Sequence, residues 1–78
     1  MATVDRIDVI LSTLNATDVG SLDSIADKLR QVKDELEALE QRDLAVRAQA
    51  TIAALERGDV VEFKRGRAFL QSKVGHLR

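Results

Sequence analysis

His76 is the single histidine of a 78-residue chain that contains no cysteine. A protein zinc site takes three or four ligands, chiefly cysteine sulfur and histidine nitrogen. One imidazole alone gives such a metal nothing to close on, so His76 reads as a solvent-exposed side chain. Asp34, Glu35, Glu37 and Glu40 carry the hard oxygens that hold calcium or magnesium. On a helix of about 3.6 residues per turn they spread over several faces, and the cluster reads as solvated outer surface. The chain has no glycine-rich loop of the kind that cradles phosphate. It also has no serine or cysteine nucleophile in a local motif with a histidine base. We therefore expect neither cofactor nor metal, and no enzyme.

The remaining candidate chemistry is electrostatic. From Arg57 onward six bases (Arg57, Lys64, Arg65, Arg67, Lys73, Arg78) face two acids (Asp59, Glu62), a balance of +4; the preceding residues hold six bases against eleven acids, −5. Lys64, Arg65, Arg67, Lys73 and Arg78 are candidate contacts for an anionic partner, and a basic helix can track nucleic-acid phosphates. The competing reading packs this basic helix beside an acidic one, within the chain or across a dimer. We prefer the second: the two aromatics of the basic segment, Phe63 and Phe69, look more useful to a core than to stacking. Arg67, on the apolar face, is expected to pair with an acid of the central segment.

These residues need elements to position them. The chain has no Pro, Trp or Tyr and is rich in Ala, Leu, Glu, Lys and Arg, a mixture that favours long helices. It is one small domain, residues 1–78. The sequence shows no signal peptide and no apolar run near the roughly 20 residues that span a bilayer. With no cysteine, a reducing cytoplasm is the natural compartment.

Val4, Ile7, Leu11 and Leu14, widened by Ile10, form one stripe of an amphipathic helix over residues 3–15. Thr3 is its candidate cap, Asp5 suits the positive end of its dipole, and a left-handed Asn15 is expected to close it. A polar link marked by Gly20 follows. Leu22, Ile25, Leu29, Val32, Leu36 and Leu39 then repeat at three, four, three, four, three, the spacing of a coiled-coil seam. The next two seam positions would be Asp43 and Val46, so the register slips. It resumes with Leu44 or Ala45, then Ala48, Ile52 and Leu55. With no Gly or Pro at the slip, we expect one central helix over residues 21–57, about 55 Å long at about 1.5 Å per residue.

Arg57 and Gly58 look like a helix end, with Gly58 in the left-handed position, and Asp59 with Glu62 resembles a capping box. A third helix over residues 59–77, folded back as an αα-hairpin, follows. Val60, Phe63, Leu70, Val74 and Leu77 share one of its faces, with Arg67 the only polar member. The alternative for 60–71 is a β-hairpin of VVEF and AFLQ. It lacks an Asn-Gly or Asp-Gly turn and would be marginal alone in water. Gly66 sits awkwardly in the helical reading, at a cost of about 1 kcal/mol relative to Ala.

The expected fold is thus all-α: a short first helix, a long central helix with a seam, and a third helix returning along it. A chain this small rarely gains more than about 3–5 kcal/mol from one core. The first helix alone would leave much of the seam uncovered. A second copy of the chain is the expected cover. A parallel seam would set Lys28 against Lys33 and Glu35 against Glu40 of the partner. An antiparallel seam sets Lys28 beside Glu35, so the expected assembly is an antiparallel homodimer through Leu22, Ile25, Leu29, Val32, Leu36 and Leu39. The function that follows is a non-enzymatic, self-associating interaction module (subunit, adaptor or small regulator). Another protein is a further candidate partner, nucleic acid through the basic helix is the alternative, and no membrane is expected.

Overall fold

A computed structural model describes residues 3–77, with side chains described for 6–17 and 19–77. The described chain is helical, in four helices rather than three: α1 (Thr3–Asn15), α2 (Leu22–Ala38), α3 (Arg42–Glu56) and α4 (Val60–Gly75), with a single 3₁₀ turn at Ala16–Asp18. No strand occurs among the described residues, so 60–71 form helix and not a β-hairpin. Each helix packs on the next in sequence, and α4 returns to α1, with the backbones of the diagonal pairs farther apart. Four amphipathic helices arranged in this ring enclose one core.

The expected 21–57 helix is broken, and the break is the largest correction to the sequence reading. The N–H of Gln41 donates to Leu36 O (2.8 Å) and that of Glu40 to Glu37 O (3.0 Å). This is a Schellman ending with Glu40, φ 61°, in the left-handed position usually held by Gly. A left-handed non-glycine residue costs about 1–2 kcal/mol. Continuing α2 through the seam would have placed Asp43 in the core, where an unpaired carboxylate costs several kcal/mol. The break wins that comparison. It leaves Asp43 and Val46 outside and turns Ala45, Ala48, Ile52 and Leu55 inward. It also replaces the expected ~55 Å rod with a body 36 × 22 × 18 Å.

Because α3 folds back on α2, the seam is covered by its own chain. Leu29, Val32 and Leu36 are at most 1% exposed and Ile25 is also buried; Leu39 is half-buried, and Leu22 alone is well exposed, at 65%. They meet Ile7, Ile10 and Leu14 of α1 in the same core as Ile52, Leu70 and Val74. The seam is not free to receive a second copy. The expected antiparallel pairing of Lys28 with Glu35 loses its basis as well: Lys28 Nζ donates instead to Ala16 O, 3.2 Å away in the same chain. Arg30 ties α2 to α3 by reaching both Asp27 and Glu56 at 3.1 Å.

The remaining ends follow local rules. Asn15 is right-handed (φ −65°) and does not close α1; the chain runs on into the 3₁₀ turn, and the left-handed residue is Gly20 (φ 110°). Thr17, fully buried there, donates its hydroxyl to Leu14 O at 2.6 Å. The side chains of Thr3, Val4 and Asp5, on which the expected cap and dipole contact rest, lie outside the described ones. Ser21 caps α2 by accepting from Ser24 N at 3.2 Å. At the third junction Gly58 is left-handed (φ 78°), and Asp59 N–H donates to Ala54 O at 2.8 Å. Asp59 Oδ1 accepts from Glu62 N at 3.1 Å, which caps α4. Only half of the capping box forms, since the Asp59 N–H is already used and Glu62 pairs with Arg65.

Gly66 is explained by packing. It is buried on α4 against Thr51 of α3, and a Cβ added at Gly66 would collide with Thr51 Oγ1 and lie 3.0 Å from Thr51 Cβ. The hydroxyl is held in place by a 2.8 Å bond to Arg47 O. A hydrogen atom at position 66 lets the two helices close.

Candidate functional site

The basic residues of α4 do not form one stripe. Lys64 and Lys73 are nine residues apart, and at about 3.6 residues per turn that sets them half a turn from each other on opposite flanks. Arg65 is exposed and bound to Glu62 at 3.1 Å. Arg67 is half-buried, with its Nε buried and unbonded. It makes none of the expected ion pairs with an acid of α2 or α3 among the described residues. One turn further on, Gln71 donates to Asn15 Oδ1 at 3.0 Å, which places this flank of α4 against α1. Arg78 lies outside the described residues. Arg65 and Lys73 lie along one ridge of α4 at four-residue steps through position 69, whereas Lys64 and Arg67, three residues apart, lie on the other flank.

On that ridge stands a residue expected in the core. Phe69 is 38% exposed, whereas Phe63 is buried as expected. Lys73 Nζ lies 5.7 Å from the Phe69 ring centroid, and Arg47 Cζ of α3 lies 4.8 Å from it. Arg47 was not a sequence candidate, because it sits 22 positions from Phe69 on another helix and no local spacing links them. Unlike Arg30, Lys33, Arg57 and Arg65, neither Arg47 nor Lys73 has a carboxylate partner among the described residues.

A second surface lies between α2 and α3. An open groove of about 750 Å³ runs past Ala45, Val46 and Ala50, with Lys33, Glu37 and Arg42 on its rim. Val46 is 69% exposed. The break at Glu40 creates this surface, since it turns Val46 out of the seam register and onto the outside of the α2–α3 pair.

No protein family, curated protein or solved structure matches this chain. Function therefore rests on the surfaces themselves. His76 is exposed, and the described residues contain no cluster of His, Cys, Asp or Glu able to hold a metal ion. No described helix is long and apolar enough to cross a membrane.

Proposed function

We propose that the protein is a non-enzymatic, self-associating helical interaction module, a subunit, adaptor or small regulator. The surface used is the α2–α3 groove rather than the seam. The observation that carries this reading is Val46, a branched aliphatic side chain left well exposed on a groove floored by alanines. Water around such a surface is released when a partner covers it, at roughly 25 cal/mol per Å². The small side chains of Ala45 and Ala50 let a partner helix come close.

The rim argues for a second copy as that partner. A two-fold interface must complement itself, because the same patch is offered by both sides. Glu37 and Arg42 place opposite charges on the rim of one groove, so a two-fold pairing can set Arg42 of each protomer against the other's Glu37. Arg42 has no carboxylate partner among the described residues of its own chain, while Glu37 holds Lys33 at 3.3 Å.

Sedimentation equilibrium tests the reading. At roughly 50 μM, well above a micromolar dissociation constant, the expected species is a dimer, and Val46→Glu should return it to monomer with its helix content unchanged. Because Val46 is exposed, that substitution leaves the core intact. A parent chain that sediments as a monomer at this concentration refutes self-association. A dimer indifferent to Val46→Glu removes the groove from it.

A further inference from the structure

We propose that the α3–α4 edge formed by Arg47, Phe69 and Lys73, with Arg65 beside it, binds single-stranded nucleic acid, with phosphates on the cations and a base on the ring. This site is separate from the groove proposed for self-association and stands or falls without it.

Three observations converge. The first is an aromatic ring in the open: Phe69 is 38% exposed in a chain whose other phenylalanine is buried. The second is that two cations from different helices meet at that ring, Arg47 at 4.8 Å and Lys73 at 5.7 Å from its centroid. The third is that neither cation is neutralised by a carboxylate among the described residues, although four other cations of the chain are. Arg65, four residues before Phe69, extends the row by one helical turn on the same flank. Its own partner, Glu62, holds it through a single exposed contact.

The chemistry of this edge matches a nucleotide. A phosphodiester supplies one negative charge per residue, which suits Arg47, Lys73 and Arg65 taken in sequence. Exposed cation–ring contacts are weak, and a phosphate oxygen gives the same guanidinium or ammonium a stronger charge-assisted bond. When the cations swing onto phosphate, the ring they lay against is left for an unpaired base to stack on. Duplex DNA keeps its bases paired and offers nothing to the ring. An acidic peptide satisfies the cations but has no use for an aromatic platform. The ring thus favours a single strand over both.

Fluorescence anisotropy with a labelled oligo(dT) of about 12 nucleotides, a length within the reach of one small domain, provides the test. Three phosphate contacts on a single strand give a log–log salt slope near −2, so affinity should fall about fifteen-fold between 50 and 200 mM salt. Arg47→Ala or Lys73→Ala should each flatten the slope by about 0.7. Phe69→Leu, which keeps an apolar side chain but removes the π face, should weaken binding at least about five-fold with the slope unchanged. Lys64→Ala, on the opposite flank, should change nothing. Circular dichroism of each variant confirms that the fold is kept. No binding at 50 mM salt overturns the proposal. So does an equal loss on Lys64→Ala and Lys73→Ala, which means diffuse charge attraction. Displacement of the oligonucleotide by poly-glutamate at the same charge concentration assigns the edge to an acidic polypeptide instead, and equal affinity for duplex removes the role of the ring.

Discussion

Replacing Gly66 by alanine should destabilise this protein, although the same change in most helices does the opposite. In an open helix interior, glycine to alanine gains about 1 kcal/mol. Here the new methyl group collides with Thr51 Oγ1 and lies 3.0 Å from Thr51 Cβ and 3.2 Å from Cγ2. Turning the threonine away breaks its 2.8 Å bond to Arg47 O and swings Cγ2 through the same space. The remaining relief is for α3 and α4 to move apart by several tenths of an ångström, with Ile52, Leu55, Phe63 and Leu70 losing contact. Overpacking of this kind costs about 1–3 kcal/mol. Set against the propensity gain, the net loss is about 1 kcal/mol, a fall in Tm of about 4–8 °C for a domain of this size. The decisive measurement is a double-mutant cycle by urea denaturation followed by far-UV circular dichroism. In a Thr51→Ala background, Oγ1 and Cγ2 are gone and only a tight Cβ contact remains. Gly66→Ala should there be neutral or stabilising, with a coupling of about 1–2 kcal/mol. A gain of about 1 kcal/mol in the parent chain, or strictly additive effects, would refute the close-approach argument.

Two further outcomes test the break and the seam. Glu40→Gly should raise stability by about 0.5–1 kcal/mol, because glycine adopts φ near 61° without the penalty on other residues, less its larger entropy loss on folding; the urea midpoint should shift up at constant slope, and a lower midpoint would mean that Glu40 is not left-handed in solution. Leu36→Ala should cost about 2–5 kcal/mol and Leu22→Ala within about 0.5 kcal/mol, although both occupy the same sequence repeat. Equal effects in a concentration-independent melt would show that Leu22 is as buried in solution as Leu36.

Much of the local structure was legible in the residues. The stripe of Ile7, Ile10 and Leu14, the stop at Gly58 and the start at Asp59 are short-range patterns, set by side-chain spacing and by the dihedral freedom of one glycine. Each can be read without knowing what lies across the core. Helix rather than strand for 60–71 followed from the lack of a hairpin turn. The slip at Asp43 is also visible, but with neither Gly nor Pro beside it no local pattern separates a shifted face from a break. A glutamate took the left-handed position because the whole core gained more from folding α3 onto α2 than one strained residue costs.

What only the tertiary structure decided is who covers whom. A repeat of apolar residues states that Leu29 and Leu36 must be covered, not whether a second copy or the next helix does it, since the hydrophobic effect has no direction. The same holds for the candidate surfaces. Arg47 and Phe69 share no local pattern, and only the closure of α4 on α3, permitted by the missing side chain at Gly66, brings the cation to the ring. Local spacing determined which residues form helices and where most of them end. The break at Glu40, the exposure of Phe69 and Val46, and the pairing of distant charges came from the summed packing of four helices, in which burying the most apolar area overrode the preference of any single position.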